Sequence, residues 1–466
     1  MAVNADPAAH RSAIDRLLRP KSVAIIGASS DPAKTAGRPL HFLRRHGFNG
    51  DIWPINPRYD DIDSQRCYAS VADLPGAPDT AIILVGPSHA EQYLRDLAER
   101  GTGAAIAIGG GYAEIGPEGA ARQDRLRDAA GAMRLLGPNT IGAVNLVDGI
   151  TLSASGALDV ENRQVGTIAM VSQSGGILGS VLSRATFRGV GLSHLVATGN
   201  EADLEVCDFI GHLIGDPATS VIALYLETLR NPDRFRKIAA KARRAGKPIV
   251  VYKVGRSEPG ARSAASHTGA LSGEDRLYDG MFEQLGVIRV YNYSDLIDVP
   301  MALSTGVKLT GKRLAILTST GGAGGLIADV CGLAGFDAPP PGEKTARRLG
   351  ALLHHDGFAA NRNPIDLTLA GLSPEIIKGA IDALMDSHDY DAVIPIVGSS
   401  GVGQPDLVAV PVIEAFKTAG KPLVVYTSPS APEIITRLNA SGVPAFDTPE
   451  GCAAALEASF RFSQRS

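Results

Sequence analysis

Three doubly wound α/β domains in series are predicted from three observations. Short β-branched runs alternate with longer amphipathic segments along the whole chain, the pattern of parallel strands joined by crossover helices. The 466 residues include 53 glycines and a single tryptophan, which suits strand–glycine–helix turns better than an aromatic-rich sandwich. The later part of the chain also repeats itself, as duplicated folding units do.

The first domain is expected at 1–150. Its first strand lies in "KSVAIIGASS" (21–30), a buried run ending in glycine. Further strands follow at "GDIWPINP" (50–57), "TAIILVG" (80–86) and "GAAIAIGGG" (103–111), with "MRLLGPN" (133–139) closing the block. Helical stretches such as "AEQYLRDLAERG" (90–101) separate them.

The repeat defines the other two domains, expected at 151–305 and 311–466. "VGTIAMVSQSGGILGSVLSRATFRGVGL" (165–192) and "GKRLAILTSTGGAGGLIADVCGLAGFDA" (311–338) both read strand, polar Gly-Gly turn, helix, glycine stop. "VIALYLETL" (221–229) corresponds to "VIPIVGSSG" (393–401), and "RRAGKPIVVYK" (243–253) to "KTAGKPLVVYT" (417–427). The second copy is longer between these landmarks, with the extra residues expected around "LLHHDGFAANRNP" (352–364).

Composition excludes several function classes. Hydrophobic content of 44% with 20% charged residues is ordinary for a globular protein. A net charge of −4 gives no reason to expect nucleic acid or an anionic membrane surface. Cys67, Cys207, Cys331 and Cys452 form no CxxC pair, so a reduced cytoplasmic setting is expected and zinc fingers are not. No apolar run is long enough for a membrane span, and "MAVNADPAAHRSAIDRLL" lacks the apolar core of a signal peptide.

Three turns have the makings of anion sites, because amides at the start of a helix point outward and the helix dipole favours negative charge there. In "IIGASSDPAKTAGRP" (25–39) Gly27 is present, but Ser29 stands where a dinucleotide fingerprint has its second glycine. The next strand ends with Arg58 rather than an acid, which disfavours NAD and favours a phosphate-rich nucleotide such as coenzyme A. A ligand-free strand–helix turn is the plain alternative. "MVSQSGGILG" (170–179) and "LTSTGGAGGL" (317–326) form a matched pair of cradles in the repeated domains, suited to one shared phosphate.

His267, within "SAASHTGALSG" (263–273), is flanked by small residues and follows the cationic run "KVGRSEPGAR" (253–262). An imidazole is neutral and nucleophilic near pH 7, and Gly260, Gly269 and Gly273 supply hinges for a loop that moves. A solvent-exposed loop histidine is the alternative. A nucleophilic histidine needs an orienting group, and the repeat suggests Glu227 at a strand end, where the second copy has Ser399. His354, His355 and Asp356 diverge too much in direction for a metal site, so no metal is expected. The run "RFRKIAAKARRAGK" (234–247) reads as a solvated helix face.

Together "SVAIIGAS", "INPRY", "LLGPNTIG", "VSQSGG", "GNEAD", "GRSEPGARSAASHTGAL" and "TGGAGG" resemble the NDP-forming acyl-CoA synthetases, relatives of succinyl-CoA synthetase, in their α-subunit form. The resemblance runs from about residue 15 to 460. It implies a Rossmann-like CoA-binding domain followed by two flavodoxin-like, succinyl-CoA synthetase-like domains. It implies that His267 is phosphorylated in turnover and that Glu227 supports the phosphohistidine. Phosphate binding would fall to Ser172, Ser174 and Gly175 in one domain and to Gly321, Gly322 and Gly324 in the other. Coenzyme A would engage Gly27, Ser29, Lys34, Arg58 and Asn139.

Two departures from the family pattern are Thr140, where many relatives have Cys, and Thr228, where glycine often follows the glutamate. No ATP-grasp module is recognisable after residue 305, so an ATP-grasp β-subunit is the expected partner, carrying ATP/ADP and Mg2+. The implied activity interconverts a small carboxylic acid, CoA and ATP with acyl-CoA, ADP and phosphate. A non-catalytic CoA- or acyl-CoA-binding regulator is the competing expectation, and a dinucleotide oxidoreductase a weaker one.

Overall fold

The computed structural model describes residues 7–268, 274–353, 361–367 and 373–465. Backbone contacts divide the chain into two compact units, Met1–Arg184 with Leu192–Arg289, and Ala185–Gly191 with Val290–Ser466.

The larger unit opens with β1 (Ser22–Ile26), β2 (Asp51–Ile55), the short hairpin β3 (Asp61–Ile62) and β4 (Gln65–Arg66), then β5 (Thr80–Ile83), β6 (Ala104–Ala107) and β7 (Arg134–Leu136). Five of these form a parallel sheet in the order β2-β1-β5-β6-β7. "SVAII" of β1 is buried at every position because helices cover both faces, which explains the unbroken apolar run. Those helices are α1 (Pro7–Leu18), α2 (Arg38–Arg45), α3 (Pro87–Glu99) and α4 (Pro117–Ala130). Proline sits in the first turn of α2, α3 and α4, where its missing N–H costs no helical bond.

A second sheet uses β8 (Gly142–Asn145), β9 (Ile150–Ser153), β10 (Val165–Ser172), β11 (Leu192–Ala197), β12 (Val221–Leu226), β13 (Ile249–Lys253) and β14 (Ile288–Val290), in the order β14-β13-β12-β10-β11-β8-β9. Its helices are α5 (Gly175–Phe187), α6 (Val206–Gly215), α7 (Pro232–Arg244), α8 (Glu258–Thr268) and α9 (Asp275–Leu285). The hairpin β8–β9 pairs antiparallel with β11, so a boundary at residue 150 cuts through a hairpin of the second sheet. One buried cluster joins both sheets, from Val23 and Ile25 to Val171 and Leu224, so their facing loops share a base. In α7 only Phe235, Ala239 and Ala242 are buried, as expected of a basic helix with one apolar stripe.

The C-terminal unit contains α10 (Asp295–Leu303), β15 (Leu314–Thr318), α11 (Gly321–Leu333), α12 (Glu343–Leu353), β16 (Ile365–Asp366), α13 (Pro374–Met385), β17 (Ala392–Val397), α14 (Ser399–Val402), α15 (Pro405–Lys417), β18 (Val425–Thr427), α16 (Pro432–Ala440), β19 (Ala445–Phe446) and α17 (Pro449–Ser463). Sheet order β16-β15-β17-β18-β19 repeats β11-β10-β12-β13-β14, the doubly wound order 2-1-3-4-5. The second copy carries the additional helix α12 between β15 and β17. α10, placed by sequence with the middle domain, packs on α17 instead.

Candidate functional site

In doubly wound sheets the turns after the carboxyl ends of the strands form the ligand crevice. At the end of β10, buried Ser172 folds its hydroxyl back on the turn: Oγ donates to the Ser174 carbonyl (2.7 Å) and accepts from the Ser174 N–H (3.1 Å). This clamp sets the entry into α5, whose first-turn amides carry the positive end of the helix dipole. Gly175 opens that helix against Ile141, where a Cβ would lie 2.6 Å from Cγ2.

Between them, Gln173 turns toward the end of β12. Its Oε1 accepts from the N–H of Glu227 (2.7 Å) and of Thr228 (3.0 Å), and its Nε2 donates to the Thr228 carbonyl (2.9 Å). The same Nε2 donates to Glu201 Oε2 (3.0 Å). Glu201 also accepts from the Val206 N–H (3.1 Å), and Arg230 Nε stands 3.4 Å from Oε2. Burial pushes the Glu201 carboxyl up to about 7, against the opposing pull of Arg230 and Gln173.

The loop carrying Glu201 also ties the two sheets together. Asn200 Nδ2 donates to Glu114 Oε2 (2.5 Å) and Gln123 Oε1 (3.0 Å), and its Oδ1 accepts from Asn139 Nδ2 (3.2 Å). Gly199, at φ +61°, makes this approach possible: a Cβ would sit 2.4 Å from the Pro138 carbonyl oxygen. Thr140 is buried and donates to the Ala197 carbonyl (2.5 Å) while accepting the Gly142 N–H (3.0 Å). Its hydroxyl therefore fixes the linker between the sheets.

These turns enclose a cavity of about 460 Å³. Asn139, Ser174, Gly175 and Glu227 all line it, so four residues named from sequence meet in one place. Ser172, the buried turn clamp, does not line it. Gly27 ends β1 at φ +83°, Ser29 Oγ accepts the Asp31 N–H (3.2 Å), Lys34 pairs with Asp31 (3.5 Å), and the Arg58 side chain is exposed. These four lie in the loops that follow β1 and β2 but do not line the cavity, whereas Thr35 and Arg38 do. Arg38 donates to the Ala33 (3.2 Å) and Ala154 (3.3 Å) carbonyls.

His267 falls in α8, so the stretch expected as a loop is helical as far as Thr268. The His267 side chain and residues 269–273, with Gly269 and Gly273, lie outside the described residues. α8 approaches the short 3-10 turn Ala113–Ile115, which carries Glu114. Lys253 ends β13 with 1% exposure, its Nζ 4.6 Å from the centre of the Tyr278 ring, and burial lowers its pKa to about 8.

Residues 21–145 match the CoA binding domain model, and residues 165–303 match the succinyl-CoA ligase like flavodoxin domain. Over 466 residues the chain is 32% identical to the alpha subunit of acetate–CoA ligase (ADP-forming) I from Pyrococcus furiosus, covering 97% of this chain and 98% of that one. The chain belongs to the ADP-forming acyl-CoA synthetases. A solved structure of Ca. Korarchaeum cryptofilum acetyl-coenzyme A synthetase 1, in complex with phosphate and ADP, has 31% identity and a TM-score of 0.88 over 97% of each chain. Trans-feruloyl-CoA synthase FCS1, from an unknown prokaryotic organism, is 34% identical across 94% of this chain, which spans 63% of that protein.

Within this synthetase fold the C-terminal unit repeats the turn clamp. Thr318 Oγ1 donates to the Thr320 carbonyl and accepts the Thr320 N–H, both at 2.9 Å. Gly321, Gly322 and Gly324 follow in the first turn of α11; Gly324 is a packing glycine, since a Cβ would lie 3.0 Å from Pro364 Cβ. The correspondence of Glu227 needs correcting by one residue. Val171 pairs with Leu224 in one copy and Leu317 with Pro395 in the other, which places Gly398, not Ser399, opposite Glu227. His354, His355 and Asp356 lie outside the described residues, and no metal-binding cluster occurs among the described ones. No described helix is long and apolar enough to cross a membrane.

Sequence reasoning missed Gln173, Glu201, Arg230, Thr35 and Arg38. Gln173 and Glu201 stood inside the quoted motifs "VSQSGG" and "GNEAD", but nothing in their spacing showed that they touch.

Proposed function

We propose that this chain is the α-subunit of an ADP-forming acyl-CoA synthetase whose ATP-grasp β-subunit, with ATP and Mg2+, is a separate chain. The observation that carries this reading is the shared cavity, where Glu227 and the start of α5 face Asn139 and Arg38 from the CoA-binding side. Full-length similarity to an alpha subunit supports the separate partner, as does the 63% share of the single-chain FCS1 relative.

In this reading an imidazole nitrogen of His267 takes the γ-phosphoryl group of ATP and ADP leaves. Glu227 supports the phosphohistidine by holding the ring proton opposite the phosphorylated nitrogen. A carboxylate oxygen of a small acid then attacks phosphorus, and the imidazole departs, leaving an acyl phosphate. The thiol of CoA attacks the acyl carbon, and phosphate leaves. Phosphoryl transfer depends mostly on positioning and charge stabilisation, which the first-turn amides of α5 from Gly175 onward offer. The glycine-rich start of α11 is proposed as a second phosphate cradle. Gly27, Ser29, Lys34 and Arg58, in the loops that follow β1 and β2, are proposed to hold CoA together with Asn139. A cytoplasmic location accompanies this reading.

The test is to incubate the chain with a purified ATP-grasp partner and γ-labelled ATP. Acid-labile, alkali-stable label on the wild type but not on His267→Asn is the expected result. No label with any partner overturns it and favours a CoA-binding regulator.

A further inference from the structure

We infer that Gln173 is a positioning residue for Glu227: its side-chain amide, held by Glu201, grips the backbone of the Glu227–Thr228 turn and fixes where the carboxylate stands. This rests on the proposed role of Glu227.

β10 ends at Ser172 and β12 at Leu226, so the two N–H groups and one carbonyl at Glu227–Thr228 lie beyond the β10 ladder. Buried backbone groups need partners. The Gln173 amide supplies all three, with Oε1 taking both N–H groups and Nε2 giving one proton to the Thr228 carbonyl. A primary amide has two N–H donors, and the second is used by Glu201 Oε2 at 3.0 Å. That fourth bond fixes the amide orientation. The residue is 7% exposed, at the edge of the cavity.

Glu201 is held in turn. Its Oε1 accepts from the Val206 N–H at the start of α6, and Arg230 lies beside Oε2 with Nη2 donating to the Asn200 carbonyl (2.6 Å). The path from a helix start through Glu201 and Gln173 to Glu227 contains only short side chains with their bonds made. A displacement of about 1 Å at a positioned group can lower a rate on the order of 10²-fold.

The experiment measures His267 labelling by γ-labelled ATP and acetate-dependent turnover, with the ATP-grasp partner present. Gln173→Leu is expected to slow labelling on the order of 10²-fold while the KM for CoA stays within about twofold. Gln173→Leu/Glu227→Gln is expected to be no slower than Glu227→Gln alone, because both changes remove one function. Gln173→Glu keeps both acceptor bonds but sets a carboxylate against Glu201, so it is expected to fail. Gln173→Glu/Glu201→Gln restores the bond between the two side chains but not the one to the Thr228 carbonyl, and is expected to recover part of the rate. Wild-type labelling in Gln173→Leu, or a defect that multiplies with Glu227→Gln, overturns the inference. Should Gln173→Leu not fold, Gln173→Glu and its swap decide: no rescue overturns it. Normal labelling in Glu227→Gln instead overturns the role of Glu227 itself.

Discussion

Arg134 and Asp203 form a two-pronged ion pair. Arg134 Nε donates to Asp203 Oδ2 at 2.7 Å and Nη2 to Oδ1 at 2.6 Å, while Asp203 Oδ2 also accepts the Leu135 N–H at 2.8 Å. The pair joins β7 of the first sheet to the loop before α6 of the second. Removing the cation leaves a largely buried carboxylate with one backbone donor. Arg134→Ala is expected to lower stability by about 1–3 kcal/mol, read from urea melts. Arg134→Lys restores charge but not the fork, and is expected to recover part of the loss.

Gly199 brings the Glu201 loop against Pro138. Gly199→Ala adds a Cβ 2.4 Å from the Pro138 carbonyl oxygen at a φ that L-residues rarely adopt. The loops must separate, at a cost of about 1–3 kcal/mol, and Asn139 moves away from Asn200. Thermal melts and CoA-dependent turnover should fall together; unchanged values in both would refute this placement.

Lys253 is a buried cation whose pKa is lowered from 10.5 to about 8 by desolvation. A base with a folded pKa below its unfolded pKa destabilises the fold wherever the unfolded chain is protonated. The penalty is full below pH 8, shrinks between pH 8 and 10.5, and vanishes above. Lys253→Met is therefore expected to raise stability at pH 7, with the gain fading toward pH 10.5. Melting temperatures of both proteins across that range check the sign.

Glu201 titrates the other way. Its carboxyl is raised from 4.5 to about 7, so its contribution is present below pH 4.5 and lost as pH rises through 7. Glu201→Gln is expected to flatten the fall in melting temperature between pH 5 and 8. A slope equal to that of the wild type would show that another group sets it.

What the sequence disclosed follows from the range over which each signal acts. Strand, glycine turn and helix are local patterns, so β1, β10, β15 and the helices after them were legible, as was the duplication. The hairpin at Gly142–Ser153 was not, because membership of a sheet depends on pairing with β11 some fifty residues away. Asn139, Ser174, Gly175 and Glu227 could each be named because each ends or follows a strand, but nothing in their spacing showed that they line one cavity. Gln173 was hidden in plain view: its role exists only once β10 and β12 lie side by side in register. The same register moved the counterpart of Glu227 from Ser399 to Gly398, since insertions within a diverged repeat leave its alignment open.

That single-residue difference constrains how the duplicated halves can diverge or converge. At Gly398 any side chain would begin 2.4 Å from Thr320 Oγ1 and 3.0 Å from Ser319 Oγ. An acidic side chain at this position would first have to turn the Thr320 and Ser319 hydroxyls aside, beside the turn that starts α11. The asymmetry between the twin halves thus rests on two hydroxyl side chains crowding the position opposite Glu227.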